Sequence, residues 1–193
     1  MTTKTLRWTP ANRTIQDESG ITIAQVLDTD PITLAGQSLD QYANQTLIIP
    51  CGQHTPIDPD PSKELLTQWS QDSWEPFNAA IESLWKQAKA LSTQLVILPG
   101  AGGRLSDAIC TLSWATAHPD IPLLIDPIRW LTPSMMPDLT DHLIRSTDLC
   151  KELPNIWGVV VSSTPIDPDG HITPELINRT IRTIPTPRQI ECT

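Results

Sequence analysis

The stretch Leu95-Val96-Ile97-Leu98-Pro99-Gly100-Ala101-Gly102-Gly103-Arg104 decides how this chain is expected to fold. Its first four residues are apolar without alternation, as in a strand covered on both faces. Before it, Phe77, Ile81, Leu84, Trp85 and Ala88 recur at spacings of three and four, while Glu82, Lys86 and Gln87 fall on the other side, which predicts a helix over Trp74 to Leu91. After it, Ser106 to Ala117 predicts a second helix with Asp107 in its first turn. A helix, a buried strand, a glycine turn and a helix point to a parallel sheet, because parallel neighbours need a long crossover and a helix supplies it.

The same texture recurs on both sides. The hexapeptide Thr-Pro-Ile-Asp-Pro-Asp occurs at Thr55 to Asp60 and again at Thr164 to Asp169. Each copy leaves an apolar run, Thr46 to Ile49 or Trp157 to Val161, and enters a helical pattern, so each reads as strand, Pro/Asp loop, helix. A further unit starts at Pro122-Leu123-Leu124-Ile125-Asp126 and leads to a helix from about Pro137 to Leu149; Gln189 to Cys192 is the last strand candidate. Ahead of these units, Arg13 to Leu27 alternates about Glu18-Ser19-Gly20 and suits a hairpin with Ile15, Ile21, Ile23 and Val26 inward.

The expected class is therefore α/β: a mainly parallel sheet of β/α units, partial or shortened relative to a TIM barrel, with an N-terminal β-hairpin, an open sheet being the other geometry these units allow. A complete barrel of that type takes about 250 residues, and this pattern yields five or six strands. One domain is expected over residues 1–193, with 1–45 the hairpin region and 46–193 the β/α units.

Composition narrows the function classes. With 13 basic against 22 acidic residues the formal charge is -9, which opposes attraction to phosphate backbones and argues against a nucleic-acid partner. No apolar run reaches the roughly 20 residues of a membrane span, and Met1 to Thr5 lacks the apolar core of a signal peptide, so no membrane partner and a cytoplasmic location are expected. The four cysteines, Cys51, Cys110, Cys150 and Cys192, form no C-x-x-C pair and are expected to be buried thiols.

The loops that follow parallel strands share one edge, which is where a site is expected. Gly100, Gly102, Gly103 and Arg104 stand between a strand and a helix, where backbone N–H groups and a guanidinium suit a phosphate; a plain structural turn is the other reading. Asp126 and Glu191 each end a strand candidate, and two carboxylates so placed suit either a metal or proton transfer. His54, Asp58 and Asp60 in the first repeat loop and Asp167, Asp169 and His171 in the second add oxygen and imidazole donors, unless they only fix turns.

From Leu95 to Cys192 the order of motifs resembles the sugar phosphate isomerase/epimerase family of xylose isomerase-like TIM barrels. The resemblance rests on the strand ending in Pro99-Gly100, the acid-ended strand Leu123 to Asp126 followed by Pro127, the run Leu153-Pro154-Asn155-Ile156-Trp157-Gly158-Val159, and Pro168-Asp169-Gly170-His171-Ile172-Thr173. It implies a divalent metal (Mg, Mn or Zn) on Asp126 and Glu191, while the family's third ligand falls on Ser162 or Ser163, neither a good metal donor. It further implies a sugar or sugar-phosphate substrate, isomerase- or epimerase-like chemistry with His54 or a nearby acid moving the proton, or a degenerate relative without catalysis. The alternative is a non-catalytic binding or assembly module with an acidic protein-interaction surface. A homo-oligomer suits either.

Overall fold

The structure is a computed structural model that describes residues 4–51, 71–131, 133–162 and 174–192. Eight strands close into one barrel in sequence order: β1 (Lys4–Thr9), β2 (Thr14–Gln16), β3 (Thr22–Val26), β4 (Thr46–Pro50), β5 (Gln94–Leu98), β6 (Leu123–Ile125), β7 (Ile156–Ser162) and β8 (Arg188–Cys192). Five α-helices accompany them among the described residues: α1 (Pro31–Ala35), α2 (Gln71–Ala90), α3 (Ala108–Ala117), α4 (Leu139–Cys150) and α5 (Pro174–Ile181). β2 runs antiparallel to both β1 and β3, and every other neighbouring pair is parallel, including β8 with β1.

This corrects the expected fold class. The sheet is closed and mixed, not a partial or shortened TIM barrel with a hairpin appended to it. The N-terminal residues are three wall strands, and β1 is the closing one: Trp8 pairs with Ile15 on one side and with Cys192 on the other. Without β1 the barrel would leave two rows of unpaired N–H and C=O groups, and closure removes both edges. The turn between β2 and β3 is built by Asp17, whose carboxylate accepts from Ser19 N–H at 3.0 Å, Ser19 Oγ at 2.7 Å and Ile21 N–H at 2.9 Å. Ile21, expected inward, belongs to that turn and is 62% exposed.

Two apolar layers follow from the period of two along each strand. The inner layer draws on all eight strands and on no helix: Leu6, Trp8, Ile15, Val26, Ile48, Val96, Leu124, Val160 and Ile190 are among its members. The outer layer joins the alternate strand positions, such as Leu47, Ile49, Leu95, Ile97 and Ile125, to Phe77, Ile81 and Leu84 of α2, Trp114 of α3, Leu143 of α4 and Ile177 of α5. Central strands are buried on both faces for this reason, and their sequences show no alternation.

Tryptophans fill both ends of the barrel. At the amino end, Trp157 Nε1 donates to Gln94 Oε1 at 3.0 Å, Arg188 Nη1 donates to the Trp157 carbonyl at 3.0 Å, and the Arg188 guanidinium lies 4.8 Å from the Trp157 ring centre. At the carboxyl end, Trp8 carries the Arg129 guanidinium 5.2 Å from its ring centre. Such contacts are worth about 0.5–2 kcal/mol according to exposure. Here the two ends differ chemically, because the carboxyl end also holds a buried acid.

Candidate functional site at the carboxyl end of the barrel

Parity along β6 decides where Asp126 points. Leu124 belongs to the inner layer while Leu123 and Ile125 belong to the outer one, so the next residue, Asp126, turns inward at the barrel's carboxyl end. It is only 8% exposed. The chain then turns through Pro127–Trp130 in a single 3-10 helix, which brings Arg129 Nε to 3.2 Å from Asp126 Oδ2. Oδ1 of Asp126 is buried and has no hydrogen-bond partner among the described residues. A buried carboxylate oxygen left unpaired by the protein is expensive, so water, an ion or a ligand is needed to satisfy it.

The turn after β5 packs directly on this one. Ala101 N–H donates to the Arg129 carbonyl at 2.8 Å, Gly100 N–H donates to the Leu105 carbonyl at 3.2 Å, and Trp130 Nε1 donates to that same carbonyl at 3.2 Å. Gly102 has φ +78°, a left-handed conformation that favours glycine. Arg104 places its guanidinium 5.9 Å from the Phe77 ring centre. The N-terminus of α3 is capped by Asp107, which accepts from Cys110 N–H at 2.7 Å. A carboxylate therefore already holds the helix end that a phosphate would need, and the Gly100 and Ala101 N–H groups point into the protein. This geometry favours the turn reading of Gly100, Gly102, Gly103 and Arg104.

Glu191 stands apart from Asp126. Ile190 faces the interior, so Glu191 points outward and is exposed, while Cys192 packs partly against the inner layer. Among the described residues no group of three or more His, Cys, Asp or Glu side chains could hold a metal ion. The metal-binding expectation for Asp126 and Glu191 is corrected accordingly: strand parity separates the two acids, and Arg129 already neutralises the first. His54, Asp58, Asp60, Asp167, Asp169 and His171, with both repeat loops, lie outside the described residues. Arg129, Trp8 and Cys192 were not singled out in the sequence; the spacing Asp-Pro-x-Arg, in which a proline turn returns the third residue to the acid, is the signal that marks Arg129.

Comparison of the chain with protein-family models, characterised proteins and solved structures finds no match. These comparisons neither support nor refute the resemblance to the sugar phosphate isomerase/epimerase family. Among the described residues no helix is long and apolar enough to cross a membrane.

Burial raises the Asp126 carboxyl above its ordinary value of 3.8, opposed by the Arg129 charge and the Ile128 N–H. The folded protein therefore holds this proton to higher pH than the unfolded chain does, so Asp126 removes stability as pH climbs from 3.8 through its folded value and removes none below. Asp126→Asn is expected to raise the Tm at pH 7.5, because it removes the buried charge. The gain should shrink towards pH 4. A variant that melts lower than wild type at pH 7.5 would show instead that the Arg129 pair is a net structural asset.

Proposed function

We propose that the carboxyl end of the barrel binds a small polar molecule and that Asp126 exchanges a proton with it. The observation that carries this reading is the buried Asp126, whose Oδ1 has no hydrogen-bond partner among the described residues while Oδ2 is engaged by Arg129. An acid raised in this way serves proton transfer near neutral pH better than an ordinary carboxyl does. Arg129, one quarter exposed at 24% of its side-chain surface, brings positive charge to the rim, where it favours a carbonyl, hydroxyl or anionic oxygen on the ligand. No step of this chemistry calls on a metal.

The test is a panel of neutral sugars, sugar phosphates and hydroxy acids, screened by thermal shift and followed by calorimetry. Wild type is expected to bind at least one class, and Asp126→Asn to weaken that affinity about tenfold or more, the worth of a charged hydrogen bond. No shift with any member, or equal affinity in both proteins, overturns the reading. An assembly module is the second reading, favoured by Ile109 on α3, 68% exposed, and Ile144 on the adjacent α4, 43% exposed. It would show as concentration-dependent self-association that Ile109→Asp abolishes while Asp126→Asn leaves it intact.

A further inference from the structure

Arginine and carboxylate commonly meet fork to fork, through two parallel N–H···O bonds of about 2.7–2.9 Å. Here they do not. Arg129 reaches Oδ2 of Asp126 through Nε at 3.2 Å, and Oδ1 has no hydrogen-bond partner among the described residues. The acid therefore does not set the guanidinium by itself. Its Cζ lies 5.2 Å from the centre of the Trp8 ring, within the range of a cation–π contact, and that contact gains from the burial of the tryptophan. The rest of the arginine is also held. Its carbonyl accepts from Ala101 N–H at 2.8 Å, and a Cβ built on Gly100 would stand 3.5 Å from Arg129 Cβ and 3.9 Å from Cδ, so the stem runs along the Gly100 backbone. Trp8 in turn is fixed by strand pairing with Ile15 on one side and Cys192 on the other.

We propose that Trp8 is a positioning residue of the carboxyl-end site: its ring holds the Arg129 guanidinium to one oxygen of Asp126 and so keeps the other open to a ligand. The role rests on the ligand site proposed above, whereas the hold on Arg129 does not. Without the ring, the planar fork is free to turn onto both carboxylate oxygens, the arrangement such pairs favour, and Oδ1 is then occupied.

The test follows Asp126 in the intact chain by NMR titration of its carboxyl carbon, assigned by the absence of that resonance in Asp126→Asn. Trp8→Leu should titrate at lower pH than wild type, because two N–H···O bonds favour the carboxylate more than one does. Trp8→Phe, which keeps an aromatic face, should stay close to the wild-type midpoint. Lost packing could also lower the midpoint by admitting water, so the deciding comparison uses Arg129→Gln: adding Trp8→Leu to it should move the midpoint no further. Cys192, whose thiol lies in the field of both Asp126 and Arg129, is raised by burial first and stays neutral over the acid range titrated. The neighbouring charges Arg7 on β1 and Glu191 on β8 are exposed on the outside of the wall. Trp8→Met, also without a ring, takes the place of Trp8→Leu if that variant does not fold. A midpoint that is unchanged or raised in the ringless variant, or lowered equally in the Arg129→Gln background, overturns the proposal. Because the titration needs no ligand, an empty ligand panel and an unmoved midpoint are separate outcomes.

Discussion

Trp8→Ala is expected to cost about 3–5 kcal/mol, the range for deleting a large buried aromatic. Trp8 is 4% exposed and belongs, near the end of β1, to the same inner cluster as Leu98, Leu124 and Val160. The loss has two parts: the transfer of the indole to water, and the cavity left because a hydrogen-bonded barrel wall cannot collapse inward. Arg129 would also lose the ring beneath its guanidinium while keeping Asp126, so the acid stays paired. Trp8→Phe, which refills most of the space, should retain more than half of the lost stability. Urea unfolding of the three proteins checks this, read at constant m-value. A loss below about 1 kcal/mol for Trp8→Ala would place Trp8 outside the interior.

Gly158→Val carries the second large effect. An ideal Cβ at this position would lie 2.6 Å from Ile190 Cδ1 and 3.4 Å from Arg188 Cβ, so the glycine is there for close approach across the β7–β8 seam. Ile190 is fully buried, and in a close-packed interior its Cδ1 can move away only by displacing other side chains. Overpacking of this kind costs about 3 kcal/mol. Shortening the neighbour should relieve it: Ile190→Val removes Cδ1 at a cost of about 1 kcal/mol when made alone. The double variant should therefore be more stable than the sum of the two single losses by at least about 1 kcal/mol. Additive losses would mean that Gly158 is required for some reason other than Ile190.

The two acids chosen in the sequence illustrate what a chain shows and hides. Asp126 and Glu191 both stand at the end of a strand candidate, Asp126 after the apolar run Leu123-Leu124-Ile125 and Glu191 after Gln189-Ile190. The run Leu123-Leu124-Ile125 is apolar at every position because both faces of β6 are covered, so its sequence carries no parity. Parity appears only when the barrel closes and one face becomes the interior. Arg129 was equally hidden, since an arginine three residues after an acid is ordinary surface chemistry until a proline turn folds it back. The strand Lys4–Thr9 was legible in principle: Leu6 and Trp8 alternate with exposed residues, as half-buried strands do.

Local pattern by itself determined the helix carrying Phe77, Ile81, Leu84 and Ala88, the buried strand Leu95 to Leu98, and the Asp107 helix start. Each leaves a local signature of period, apolar run or cap residue, although the strand itself is held by pairing with Leu47 to Pro50 and Leu123. Tertiary structure alone decided that β1 joins β2 to β8, that the sheet is closed and mixed, and that Asp126 faces in while Glu191 faces out. The pairing of Trp8 with Cys192 brings together residues from the two ends of the chain. Its stabilisation comes from removing sheet edges and sealing an interior, and neither exists until the whole circuit of strands has formed.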